Sequence, residues 1–278
     1  MKKWTIAALT LAALVAGLVA VTRIAGGWWE KKTLDIRAQM EGGRPGAPVE
    51  SPESPDPPPV VQRYLELAAP AGRAAVRLAR LQHEGEFLLG PGRWTTFTST
   101  QLVTTTPPGF DWDARMPLAP GLPVYVRDGY QRGTGMMRAA VFGLFNVARV
   151  EGGPAMAEGQ LLRYLAETPW YPTTLRPGGG VEWEALTDST ARARLKDGPV
   201  TAVLDFEFGP DGLISGVFAA ARGREVNGRI VMTPWAGRFR QYERRGGMLI
   251  PVAGEVEWRL PEGPQVYWKG RVTGAAWE

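Results

Sequence analysis

VTAVLDFEF, residues 200–208, decides how this chain is read. Leu204, Phe206 and Phe208 fall on one side of an extended backbone, and Asp205 and Glu207 on the other. Successive side chains of a strand point to opposite faces, so the stretch predicts a strand with one dry and one wet face. That pattern belongs to antiparallel sheets covered on one side; parallel strands buried on both faces read as continuous apolar runs. The same period recurs in GEVEWRL (254–260), where Val256, Trp258 and Leu260 oppose Glu257 and Arg259.

Outward from these two segments the alternation continues almost to both ends of the body. VRLARLQHEGEFLL, WTTFTSTQLVTTT, GFDWDARM, LPVYVRDGY, GTGMMRAAVFG and FNVARV precede it, and QVYWKGRVTG follows it. The connections carry turn chemistry: GPDG at 209–212, VNGR at 226–229 and RGG at 245–247. Two segments break the period of two. In PPPVVQRYLELAA, Val60, Val61, Tyr64, Leu65 and Ala68 share one helical face, with Asp56 as the expected N-cap and prolines in the first turn. In the segment from Glu158 to Glu167, Leu161, Leu162 and Leu165 form the stripe to be buried, with Tyr164 at its margin. Thr168 precedes Pro169 and is pushed out of the helical region, so this second helix ends there. The expected fold is mainly β (α+β): one large curved antiparallel sheet or unclosed barrel, with two short helices packed on one face.

Ahead of the body, Lys2 and Lys3 precede an uncharged apolar run from Trp4 to Val21, and Trp28, Trp29, Lys31 and Lys32 follow. A helix over residues 4–21 approaches the thickness of a bilayer hydrocarbon core, and the aromatic and basic flank suits an interface. The expectation is an N-terminal transmembrane helix: a single-pass anchor in the cytoplasmic membrane, with the body outside the cytoplasm. A cleaved signal peptide is the rival. The run GGRPGAPVESPESPDPPP (42–59) has almost nothing apolar to bury and reads as a semi-rigid spacer. The organisation is therefore 1–27 anchor or signal sequence, 28–59 juxtamembrane and Pro-rich linker, and 60–278 a single β-rich domain. Nothing before about residue 57 is expected to share a core with the sheet.

Composition narrows the chemistry. The chain has 278 residues, one His and no Cys, which excludes disulfides and thiolate chemistry and leaves no zinc ligand set. Net charge is +4, from scattered Arg with no basic run beyond Arg244–Arg245, so no nucleic-acid groove is indicated. GTGMM at 133–137 has only part of a dinucleotide pattern and opens no helix. No cofactor or metal is expected. Carboxylates come in strand-spaced pairs, Asp111 and Asp113, Glu182 and Glu184, Asp205 and Glu207, Glu255 and Glu257, each adjoining large apolar residues. A pair facing one cleft would suit glycosidase-type work; the strand parity instead predicts a solvated outer face.

The point of most functional interest is the end of the second helix. Glu167 sits in the last turn, where the helix dipole disfavours a carboxylate, beside Trp170 and Tyr171. A compensating Arg or set of backbone N–H groups is expected. The alternatives are a polar contact inside a ligand cavity and a general acid or base. The candidate ligand-contacting residues are Glu167, Trp170, Tyr171 and Tyr164, joined by Trp112, Trp235 and His83. His83 shares strand parity with Leu81 and Phe87 and is expected on the dry side.

RYLAETPWYPTTLRPG, with PPGFDWDARM, GTGMMRA and TPWAGRFRQYERRGGMLIP, resembles a family of bacterial proteins known only as a domain of unknown function. The resemblance spans about Val60 to the C-terminus. It rests on Arg163, Tyr164, Leu165, Glu167, Trp170 and Pro172, and later on Pro234, Trp235, Gly237, Tyr242, Gly247 and Pro251; no activity comes with it. PPGFDWDARM is also similar to a strand of the lipoprotein-carrier group that includes LolA and LppX. That resemblance implies an unclosed antiparallel barrel around helices, with an apolar cavity for acyl chains. The chain departs from that group in lacking a lipobox Cys and in carrying the long spacer. The readings are a non-catalytic binding module for an apolar ligand such as a lipid or acyl chain, an envelope hydrolase using carboxylates, and a structural or protein-interaction domain with a filled core.

Overall fold

The computed structural model describes residues 2–43 and 56–278, so most of the Pro-rich spacer lies outside the described residues. The first element is a long helix, α1 (Lys2–Glu41), and the body opens with α2 (Pro59–Ala68). Six strands then follow by hairpins: β1 (Leu78–Gly90), β2 (Arg93–Thr105), β3 (Pro108–Ala119), β4 (Leu122–Gln131), β5 (Thr134–Val141) and β6 (Phe145–Glu151). Helix α3 (Pro154–Ala166) and two short 3₁₀ turns, Thr168–Trp170 and Pro172–Leu175, carry the chain to the other end of the sheet. Seven strands return by hairpins: β7 (Val181–Thr187), β8 (Thr190–Asp197), β9 (Val200–Phe208), β10 (Ile214–Val226), β11 (Arg229–Arg245), β12 (Met248–Leu260) and β13 (Gly263–Trp277).

Among the described residues these make one unclosed 13-stranded sheet, ordered β6-β5-β4-β3-β2-β1-β13-β12-β11-β10-β9-β8-β7. Every neighbour pair is antiparallel, as the alternation in residues 200–208 requires. The two hairpin runs join at β1–β13, where Gly85 lies opposite Gly270. A Cβ on Gly85 would stand 2.0 Å from the Lys269 carbonyl oxygen, so the join needs a residue without one. The far ends curl toward each other without pairing. Tyr130 Oη donates to Asp197 Oδ2 at 2.7 Å, and the Gly133 amide donates to the same oxygen at 3.1 Å.

Helix α3 lies inside the curl, packed on β9 and β10 on one side and on β5, β4 and β3 on the other. Gly135 lets it approach β5, since a Cβ there would meet the Met156 carbonyl oxygen at 2.6 Å. That is the use of the GTGMM segment in this fold. Tyr64, Val61, Leu161, Leu165, Tyr171, Leu204 and Phe206 share the buried core between helices and sheet. Helix α2 buries the five residues its spacing marks. Its start differs from the expectation: Pro58 holds the N-cap position with no side-chain cap, and the Pro-rich entry fixes the first turn without Asp56.

The larger difference concerns α1. The helix does not stop at the apolar run but continues unbroken to Glu41, through residues read as linker. Its second half lies on the outer face of the sheet, against β3 and β2. Ala25, Trp29, Thr33 and Met40 are buried there, while Trp28 is exposed. Trp29 Nε1 donates to Asp113 Oδ1 at 2.9 Å, and Thr33 Oγ1 donates to Asp113 Oδ2 at 2.7 Å. Arg37 Nε donates to Asp111 Oδ2 at 2.8 Å, while Arg127 Nε lies 3.2 Å from Asp111 Oδ1. So Asp111 and Asp113 face outward as their parity predicts, yet they are buried rather than solvated. Strand parity fixes the face; it does not say what comes to cover it. Glu257 is a second such departure, 3% exposed between Arg259 at 2.6 Å and Arg238 at 3.6 Å. Glu182, Glu184 and Glu207 are exposed. As for the expected membrane crossing, among the described residues no helix is long and apolar enough to span a membrane. The apolar stretch of α1 passes directly into Arg23, Glu30, Lys31 and Lys32.

Candidate functional site

Between α3 and the concave face of the sheet lies a cavity of about 520 Å³. The sheet supplies most of its wall: Trp112 and Met116 from β3, Val124 and Val126 from β4, Val217 from β10, Trp235 from β11 and Trp268 from β13. Helix α3 contributes Arg163 and Ala166, and the turn after it Glu167 and Trp170. Leu89, Leu118 and Val147 line the cavity and are also exposed, which makes them its rim.

One polar chain crosses the otherwise apolar wall. Gln101 Nε2 donates to Glu167 Oε2 at 2.6 Å, and Arg163 Nε donates to Glu167 Oε1 at 2.8 Å. Arg163 Nη1 then donates to Asp128 Oδ2 at 2.7 Å. The Arg163 guanidinium also lies over the rings of Phe110 and Trp112, at 5.0 and 4.9 Å. Arg163 is thus the partner that Glu167 needs at its unfavourable helix end, supplied one helical turn earlier. Burial works against the Arg163 charge, but Glu167 and Asp128 more than offset it and raise its pKa. Burial raises Asp128 above the usual carboxylate range, against the opposing pull of Arg163 and Arg222. His83 is 2% exposed, its ring 4.8 Å from that of Trp170. Burial, and then the positive charge of Arg163, lower it to about 3, so the imidazole is neutral at pH 7. Three groups of this wall have no hydrogen-bond partner: His83 Nε2, Gln101 Oε1 and Asp128 Oδ1.

Of the residues singled out by sequence, Glu167, Trp170, Trp112, Trp235 and His83 come together on this cavity. Tyr164 and Tyr171 do not. Both are fully buried behind it, where Tyr171 Oη donates to the Tyr164 carbonyl at 2.6 Å and braces the helix end. Trp170 is fixed on both sides: its Nε1 donates to Pro251 O at 3.0 Å, and its carbonyl accepts from Trp277 Nε1 at 2.9 Å. Sequence reasoning missed Asp128, Gln101 and Arg222 as cavity residues, and Arg163 as the group that holds Asp128 and Glu167 together. Asp128 had a signal, since it shares parity with Val124, Val126 and Tyr130. Arg222 had none, because the β10–β11 register shifts between Ala219 and Arg222 and breaks the alternation.

The profile of a family of unknown function, DUF6920, matches residues 56–277. The chain belongs to DUF6920. The matched region of this DUF6920 chain includes the whole cavity and begins after α1. No curated protein matches it. Among solved structures, the DUF6920 chain is similar to a LolA superfamily protein from Nitrosomonas europaea, with 10% identity and a TM-score of 0.40, over 79% of this chain and 92% of that one. It is similar to a DUF1329 family protein from Desulfovibrio piger, with 12% identity and a TM-score of 0.41, over 79% and 90%. A beta-barrel-like protein of DUF1849 from Brucella abortus aligns with 9% identity and a TM-score of 0.25, over 74% and 100%.

Proposed function

We propose that this protein is a non-catalytic binding module that holds an amphipathic lipid or acyl chain between α3 and the concave sheet. The observation that carries the reading is the cavity itself. Its volume of about 520 Å³ lies within the range of small-molecule sites, roughly 300–1,000 Å³, and its wall has the mixed character of such sites, apolar with a few convergent polar groups. The three acids on it are all paired, Asp128 and Glu167 with Arg163 and Glu255 with Arg240, which favours a positioned wall over a free acid–base pair.

The reading extends to the membrane. Trp4, Ile6, Leu9, Val19, Val21 and Ile24 of α1 are exposed, and Leu144 of the β5–β6 turn and Phe145 at the start of β6 share a groove with Ala13, Gly17 and Val21. An exposed apolar surface of this kind calls for a lipid or protein partner. On this reading residues 4–21 anchor a single-pass protein in the cytoplasmic membrane, with the domain outside the cytoplasm.

Organic extraction of the purified full chain followed by mass spectrometry tests the ligand. A co-purified lipid in near-stoichiometric amount is expected, lowered in Val217→Trp, which fills the cavity from β10. Absence of lipid, together with no uptake of an apolar fluorophore such as N-phenyl-1-naphthylamine, would sink the reading. Protease accessibility of the domain in intact cells tests the orientation.

A further inference from the structure

The charged residues on the cavity wall are matched with one exception. Arg163 is shared by Asp128 and Glu167, Arg238 lies 3.6 Å from Glu257, and Glu255 holds Arg240 at 2.5 Å. Among the described residues Arg222 has no carboxylate within ion-pair reach. Its Nη2 donates to the Gly159 carbonyl at 3.1 Å, and its Nη1 stands 3.4 Å from Tyr267 Oη. The guanidinium lies 4.9 Å over Trp235 and 5.8 Å over Trp258. Two indoles and a helix carbonyl therefore fix its position on the cavity wall; Asp128 feels its charge from beyond ion-pair distance, and no carboxylate is paired with it directly.

An arginine stays protonated in a protein, and a charge beside apolar walls is costly until it is paired. Its planar fork of N–H donors matches a carboxylate or phosphate better than any neutral group. The other polar part of the wall has the opposite bias. Asp128 and Glu167 both bind Arg163 directly, and Gln101 turns a free carbonyl oxygen to the same region. An anion is disfavoured there and favoured beside Arg222.

We propose that Arg222, with Tyr267 Oη beside it, binds the anionic head of an amphiphile, a carboxylate or a phosphate monoester, whose tail lies along the apolar wall toward Trp112 and Val126. This rests on the lipid-binding reading above. The test is calorimetric titration of the full chain with dodecanoate, dodecyl phosphate and dodecanol, which share a tail and differ in the head. Both anions are expected to bind about tenfold more tightly than dodecanol, in line with a charge-assisted hydrogen bond. The tighter anion distinguishes a carboxylate from a phosphate source. Arg222→Gln is expected to erase the difference and leave dodecanol unchanged. Arg222→Met, which keeps an apolar stem over Trp235, serves if the Gln variant does not fold. In the unaltered protein, added salt should weaken the anions and spare dodecanol. Equal binding of all three heads, or an equal loss for all three in the variant, overturns the assignment while leaving the lipid reading intact. Failure of all three to bind removes that reading and the assignment with it.

Discussion

Strand β3 has a buried polar system on each of its faces, and the two are built differently. On the outer face Asp111 and Asp113 lie under α1, and each of their four carboxylate oxygens has a hydrogen-bond or ion-pair partner among Arg37, Arg127, Trp29 and Thr33, although Arg127 Nε faces Asp111 Oδ1 without a hydrogen bond. On the inner face, beside Trp112, the chain Gln101–Glu167–Arg163–Asp128 ends in acceptors with no partner and borders a cavity. Buried polar groups are as a rule satisfied, so a network whose carboxylates are all partnered is a structural clamp, and one that leaves acceptors open beside a cavity marks a place for something else. The outer system fixes α1 to the sheet. The inner one is the candidate site. Substitutions should therefore separate the two faces, the outer through stability alone and the inner through stability and ligand together.

The largest effect is expected from Asp111→Ala. It leaves Arg127, 2% exposed, without its nearer carboxylate partner, and breaking a buried pair from one side costs about 3–5 kcal/mol. Urea denaturation should show this loss with the affinity for a bound amphiphile unchanged. A cost under about 1 kcal/mol would mean that α1 does not seal this face.

Glu167→Gln comes next. It keeps the shape of the side chain and weakens two charge-assisted hydrogen bonds, from Arg163 and Gln101, for a loss of about 1–3 kcal/mol. Here, unlike at Asp111, the ligand should respond as well, because Glu167 lines the cavity. A variant destabilised with unaltered ligand retention would make the inner chain a clamp like the outer one and erase the contrast between the faces.

The contrast also explains what was legible in the sequence. The alternation of Leu204, Phe206 and Phe208 with Asp205 and Glu207 carries the sheet, because a strand's facing is a local property. The buried face of α2 and the end of α3 at Thr168–Pro169 are equally local. The cover over Asp111 was not legible. It depends on where a helix more than 70 residues away in the chain is laid down, as the Trp29–Asp113 separation of 84 residues shows. At the site, His83 was found through strand parity and Glu167 through its awkward helix end, while Trp112 and Trp235 were added as large aromatics, Trp235 also carrying the family resemblance. Arg222 escaped because a register shift precedes it, and Tyr164 and Tyr171 were misjudged because aromatic bulk alone does not separate a cavity wall from packing behind it.

His83 gives a smaller, pH-dependent test of the inner face. Its pKa is about 3 in the folded protein against an ordinary 6.5, so the unfolded chain takes up the proton first as pH falls. Its contribution to stability is therefore complete above pH 6.5 and declines as pH drops from 6.5 toward 3. The slope is at most about 1.4 kcal/mol per pH unit. Asp128, raised by burial, acts in the opposite sense, since the folded state holds that proton more firmly. Comparing the protein with His83→Gln cancels the Asp128 part. The variant should lose less stability on going from pH 6.5 to 4.5. Identical pH profiles would show that His83 is solvated and not pressed between Trp170 and the sheet.

The smallest effect is expected where neither kind of cover exists. Glu184 on β7 has the same strand-spaced acidic signature as Asp111 and Asp113, but it is exposed, and among the described residues no helix packs extensively on β7. Substitutions at such positions change stability by no more than about 0.5 kcal/mol, so Glu184→Gln should leave the denaturation midpoint almost unmoved. The comparison with Asp111→Ala then isolates the contribution of α1, because sequence pattern and strand geometry are alike and the covering helix differs. β7 is also an open edge of the sheet, with unpaired backbone groups along one side. A loss above about 1 kcal/mol in Glu184→Gln, growing with protein concentration in the unaltered chain, would show that a second chain covers this edge in solution, as α1 covers Asp111.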